Sequence, residues 1–90
     1  MEETREIRIK RLAMRSMRRG IKEMDLILSD YAGRKLAGMD DAALAHYEAF
    51  LDENDQDLYQ WVSGQVAAPI EFSGLVADIA KGARGLTAPE

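Results

Sequence analysis

Arg15-Ser16, Arg18-Arg19-Gly20, Glu23 and Asp25 stand within one short stretch and combine guanidinium forks, carboxylates and a bare backbone position. These groups recognise rather than make bonds. Arginine forks grip carboxylates, carbonyls or phosphates, and a carboxylate one turn away accepts from a cation. Glycine in or near a helix costs roughly 0.5–1 kcal/mol relative to alanine, so an isolated one marks a helix end, a kink or a close approach by another group. Arg19 and Glu23 share a helical face at i and i+4, but with the cation toward the N-terminus, the weaker order for an intrahelical pair. Two readings follow: an outside partner comes close at Gly20, or the charges form a solvated face and Gly20 separates two short helices.

Other constellations carry less chemistry. The run Asp52-Glu53-Asn54-Asp55-Gln56-Asp57 invites a calcium loop, but Asp57 stands where glycine is needed and Ser63 where the closing glutamate is needed, so helix capping explains it. His46 is the only histidine and cysteine is absent, so no transition-metal ligand set can be assembled, and His46 is expected on a polar helix flank. Nucleophile elbow, phosphate loop and dinucleotide glycine patterns are all missing. Catalytic residues, cofactor-binding residues and metal ligands are therefore expected to be none, and the chain is not expected to be an enzyme. Trp61 beside Leu58 and Val62 is expected in the core, where its truncation to alanine would cost ~3–5 kcal/mol. Met14, Met17 and Met24 flank the glycine and could form an adaptable contact surface, with core filling equally open for Met24.

These groups must be positioned by a small scaffold. Ninety residues, 47% hydrophobic and 31% charged, suit one domain over 1–90 and leave no room for a deep enclosed active site. Apolar runs are too short to cross a bilayer, so no membrane role is expected. Residues 1–22 carry eight basic side chains against three acidic ones, while the whole chain is −4. The basic end would steer an anionic partner. Its arginines resemble a mitochondrial targeting helix, but Glu2, Glu3 and Glu6 argue for mature structure instead.

Apolar residues recur at helical spacing throughout, which predicts an all-α bundle of about five short helices. The first spans about Arg5 to Met17, with Ile9, Leu12 and Ala13 inward. The second spans about Ile21 to Lys35, with Ile21, Met24, Ile27, Leu28 and Tyr31 inward and Gly33 and Gly38 bracketing its end. Asp40 suits the N-cap of a third helix to about Leu51, Asp55 or Asn54 that of a fourth, and Pro69 the first turn of a fifth. Residues 82–90 are expected to fray.

Arg19-Gly20-Ile21-Lys22-Glu23 is an Arg-Gly-x-x-Glu motif, embedded in a longer match that includes Arg15-Ser16, Arg18-Arg19, Asp25 and the aliphatic run after it. Asp55-x-Asp57-Leu58-Tyr59-x-Trp61 lies about thirty residues downstream. Over residues 5–80 the chain resembles the succinate dehydrogenase assembly factor 2 family, small FAD assembly factors of bacteria and mitochondria. Met24 replaces a more usual leucine, and Asp40-Asp41-Ala42-Ala43 lacks the fuller Ser-x-x-Glu cap.

The resemblance implies a chaperone that binds the flavoprotein subunit of succinate dehydrogenase, or of fumarate reductase, and promotes covalent attachment of FAD to a client histidine. FAD then belongs to the client, and this chain holds no stable cofactor. Gly20 would let the client approach, Arg18 and Arg19 would offer donors, and Glu23 would accept from a client cation or orient the arginine fork, with Arg15 and Asp25 completing the partner-binding set. A bacterial cytoplasmic location follows, the mitochondrial matrix applying only to a eukaryotic chain, with no transit peptide seen; the free protein is expected to be a monomer. The rival reading is a nucleic-acid-binding or antitoxin-like helical module acting through the basic first helix. The acidic remainder and the pI near 5.0 weigh against nucleic acid as a partner.

Overall fold

The structure, a computed structural model, describes residues 3–83. In chain order it has α1 (Arg5–Arg15), α2 (Lys22–Lys35) extended by a 3-10 turn (Leu36–Gly38), α3 (Asp41–Leu51), α4 (Asp55–Val62) and α5 (Ile70–Ala83). Helices account for every regular element among the described residues, as the periodicity predicts.

Local chemistry sets the helix ends. Thr4 caps α1 by accepting from the Ile7 N–H at 3.2 Å, and Asp40 caps α3 by accepting from Ala43 at 2.8 Å. Of the two candidates for α4, Asn54 is the cap, taking the Gln56 N–H at 2.8 Å and leaving the Asp55 side chain for other work. The first helix stops at Arg15, two residues short of the expected Met17: Ser16 is its C-cap, and the backbone turns left-handed at Arg18. Ile21 is extended, with φ −114°, so α2 starts at Lys22 rather than Ile21. Gly33 lies inside α2 rather than at its end, and Gly38 closes the 3-10 turn. Pro69 stands just before α5, its carbonyl accepting from the Phe72 N–H at 2.9 Å. Of the expected tail, Gly82 and Ala83 complete α5, and 84–90 lie outside the described residues.

One core joins all five helices. Leu12 of α1 meets Met24, Ile27, Leu28 and Tyr31 of α2, the stripe expected from spacing, with Ile21 only partly covered at its start. Phe50 is wholly buried, with ring centroids 5.6 Å from Phe72, 6.3 Å from Tyr47 and 6.4 Å from Trp61. Trp61 is only partly buried, stacking on Phe72 at the rim rather than filling the centre. Its place in the core is corrected accordingly: its neighbours Leu58 and Val62 point inward on α4, and the indole covers the edge. His46 is exposed, as expected, and lies against the Phe72 ring at 5.2 Å.

The basic face of α1 packs against acidic residues of α3. Arg11 bonds Glu48 at 2.7 Å and Glu3 at 2.7 Å, and Arg15 bonds Asp52 at 2.6 Å. The Arg11 hydrogen bond is the main reason that the Glu48 and Glu3 carboxyls sit below the usual carboxylate range. A carboxyl lowered in the folded state adds stability above its unfolded value, near 4.3, and that contribution fades as pH falls through the folded value. Exposed pairs of this kind contribute little, because water screens them. Glu48→Gln is therefore expected to lower the melting temperature slightly above pH ~5 and to match the parent in strong acid. A gap that widened toward acid would refute the pairing.

Candidate functional site: the loop between the first two helices

The six residues 16–21 link α1 to α2, and each end is fastened by polar contacts, buried at Ser16 and partly buried at Arg19. Ser16 is fully buried. Its hydroxyl donates to the Leu12 carbonyl and so accepts from the Tyr47 hydroxyl, 2.7 Å away. Burial pushes the Tyr47 phenol up, which keeps it protonated as the donor. Ser16→Ala would leave that phenol without an acceptor, at a cost of about 1–3 kcal/mol. A chemical-denaturation midpoint unchanged from the parent would contradict this role.

Arg18 follows with φ 55°, the left-handed region that costs a residue with a side chain roughly 1–2 kcal/mol. Its backbone N–H donates to Asp25 Oδ1 at 2.9 Å, and the same oxygen accepts from the Ser29 hydroxyl at 3.2 Å. Asp25 thus holds the loop against the first turn of α2. The Arg18 side chain points outward, exposed and without an ion-pair partner among the described residues.

Arg19 turns inward. Its side chain is 12% exposed and its Nη2 lies 2.6 Å from Asp55 Oδ1. Nε reaches that oxygen at 2.8 Å, while Nη1 donates to the Arg15 carbonyl at 2.7 Å and Nη2 to the Leu51 carbonyl at 3.3 Å. The Gly20 N–H donates to Asp55 Oδ2 at 2.7 Å. A Cβ on Gly20 would lie 3.1 Å from that oxygen, so part of the requirement for glycine comes from inside the molecule. Gly20 itself is exposed and lies in the loop rather than in a helix.

Of the residues singled out from sequence, Arg18, Gly20 and Glu23 therefore share the outer surface around the loop, with Lys22 beside them. Arg15, Arg19 and Asp25 are engaged in internal contacts. Glu23 does not orient the arginine fork; Asp55 does. Asp55 is the residue that sequence reasoning misjudged: it belongs to the downstream block carrying the resemblance, yet the acidic run around it reads as helix capping. Met14 and Met17 are exposed near the loop, 67% and 48%, whereas Met24 is core.

Beside Ile21, a shallow cleft of about 130 Å³ is lined by Gln56, Tyr59, Gln60 and Gln65. Ligand pockets for molecules of drug size run ~300–1,000 Å³, so this cleft does not fit an enclosed flavin. No cluster of histidine, cysteine, aspartate or glutamate suited to a metal ion occurs among the described residues. No helix among them is long and apolar enough to cross a membrane.

Residues 10–83, spanning the end of α1, the loop, its Asp55 anchor and the other four helices, match the Sdh5 family model, described as the flavinator of succinate dehydrogenase. The chain belongs to the Sdh5 family. Among curated Sdh5 relatives, "Succinate dehydrogenase assembly factor 2, mitochondrial" of Meyerozyma guilliermondii is 44% identical over 61 residues, covering 68% of this chain and 45% of the relative. The protein of the same name in Schizosaccharomyces pombe is 40% identical over 67 residues, covering 74% of this chain and 48% of the relative. That of Mycosarcoma maydis is 35% identical over 71 residues, covering 79% and 30%. The chain thus spans less than half the length of these relatives. They are fungal proteins named as mitochondrial, which overturns the expectation of a bacterial cytoplasmic protein; the argument from Glu2, Glu3 and Glu6 weighed charge in a segment too short to decide location.

Proposed function

We propose that the chain is an assembly factor that docks on the flavoprotein subunit of succinate dehydrogenase and promotes covalent attachment of FAD to a histidine of that client. One observation carries the docking surface: Arg18, on a loop fastened at both ends, and Glu23, in the first turn of α2, stand exposed on either side of Gly20 in the chain, inside the region matched by the family. A fixed loop offers its charged groups without first paying the entropy of ordering them. Arg18 suits a client carboxylate or carbonyl, and Glu23 suits a client cation. The bare Gly20 surface between them lets the client backbone come close.

In this reading the factor contributes orientation. It holds the client in a conformation where histidine and flavin are aligned, and the cofactor's own reactivity does the rest. The surface around the loop presents guanidinium, carboxylate and backbone, groups that suit recognition of a client. The flavoprotein subunit of fumarate reductase is a second client of the same chemistry.

The nucleic-acid reading loses its main support, because Arg5, Arg8, Arg11, Arg15 and Arg19 all have carboxylate partners within the molecule. Only Lys10, Arg18 and Lys22 remain unpaired among the described cations of the N-terminal region.

Calorimetric titration of the chain into purified, unflavinylated client tests the docking surface. Glu23→Ala is expected to weaken binding about tenfold, the loss of one charge-assisted hydrogen bond, with the melting temperature unchanged. Parent-like affinity for Glu23→Ala would remove Glu23 from the interface.

A further inference from the structure

We propose that Asp55 is a positioning residue for the docking loop: its carboxylate clasps Arg19 and Gly20 together, and Arg19 acts through Asp55 rather than by touching the client. This inference rests on the proposed docking function and assigns the inward half of the Arg-Gly-x-x-Glu motif a separate task.

The division of labour within the carboxylate is the first argument. Oδ1 takes the Arg19 guanidinium, at 2.8 Å from Nε and 2.6 Å from Nη2, while Oδ2 takes the Gly20 N–H at 2.7 Å. One side chain of α4 therefore fixes two successive residues of a loop that lies far from it in sequence. The second argument is the guanidinium's remaining contacts. Its other donors reach the carbonyls of Arg15 and Leu51, the last residues of α1 and α3, and Asp55 is itself the first residue of α4. Helix C-termini favour a cation and helix N-termini an anion, so three helix ends converge on this one pair with matching sign.

Geometry then excludes a second employment for Arg19. The side chain is almost covered, and all three guanidinium nitrogens already donate to internal acceptors. A client could reach it only by breaking the pair and leaving the Asp55 charge behind uncompensated. The Gly20 N–H is likewise spoken for, so what Gly20 presents outward is its uncovered Cα surface. Asp55 determines where that surface stands.

The test combines amide hydrogen exchange on the isolated chain with a double-mutant cycle on the complete reaction of chain, client and FAD. In Asp55→Ala the Gly20 amide is expected to exchange at least about tenfold faster, while the Leu28 and Phe50 amides of the core keep their protection. Asp55→Asn, which keeps the side chain's volume, is expected to shift Gly20 in the same direction by less. The concentration of chain needed for half-maximal client flavinylation should rise about tenfold in Asp55→Ala, with the rate at saturating chain within about twofold of the parent. Arg19→Met combined with Asp55→Ala should lose no more than the worse single variant, the signature of two groups working as a unit.

Unchanged Gly20 exchange in both Asp55 variants would overturn the clasp by itself. Multiplicative losses in the double variant, or a loss confined to the saturated rate, would also overturn it, because Arg19 would then be meeting the client directly. A parent chain that left the client's flavin non-covalent would overturn the proposed function and this inference with it; the exchange measurement, made without client, tells the two failures apart.

Discussion

Gly20→Arg is expected to abolish client flavinylation while leaving the bundle folded. Gly20 lies outside the left-handed backbone region, so a side chain there is not strained by its dihedral angles. Its Cβ would press on Asp55 Oδ2 at 3.1 Å, a contact the carboxylate can relieve by moving a few tenths of an ångström. The resulting cost of about 1 kcal/mol corresponds to a fall of ~4–8 °C in the melting temperature of a domain this size. Docking suffers far more. A long cation would occupy the surface between Arg18 and Glu23 where the client is proposed to approach, and it would compete for Glu23. Gly20→Ala separates the two effects, because it adds the same Cβ without the cation. The close-approach account expects alanine to retain most of the flavinylation that arginine abolishes. Equal loss in the two variants would place the whole requirement for glycine inside the molecule, at Asp55, and normal covalent flavin with Gly20→Arg would refute the docking site.

The largest effect on stability is expected from Phe50→Ala. Phe50 is fully buried and touches the rings of Tyr47, Trp61 and Phe72, so truncation removes the shared contact of three helices. Phenylalanine-to-alanine changes in such places cost about 3–5 kcal/mol, a large part of the ~5–15 kcal/mol that holds a small domain together. The melting temperature should drop by on the order of 15–30 °C, or the cooperative transition should vanish. Trp61→Ala should cost less, about 2–3 kcal/mol, because the indole lies at the rim and part of it is already in water. Denaturant midpoints for the two variants, measured side by side, check the order. A larger loss for Trp61→Ala would mean that the rim, not the Phe50 cluster, is the centre of the core.

Which parts of this architecture were legible in the sequence depends on the range of the interactions involved. The helices were, because periodicity and caps are local: Asp40 and the α2 stripe from Met24 to Tyr31 act within a turn or two of themselves. Helix ends governed by distant partners were not. Ser16, at the end of α1, meets the Tyr47 hydroxyl across the core, and nothing near Ser16 in sequence reveals that partner. The same limit applies at the site. Arg19 and Glu23 do not share the expected helical face, because Arg19 lies in the loop and Glu23 in α2, and the partner of Arg19 is Asp55 on α4. The block from Asp55 to Trp61 held the clue, since it travels with the motif in the family resemblance. Taken alone, an aspartate at the start of a helix is more simply explained as a capping residue.

The most direct test of the account is to co-express the chain with the flavoprotein subunit of succinate dehydrogenase in cells lacking any other assembly factor, and to read flavin fluorescence of the client band after denaturing electrophoresis. The account predicts a fluorescent band that requires the parent chain, weakens with Glu23→Ala and disappears with Gly20→Arg. A band of equal intensity without the chain would contradict it.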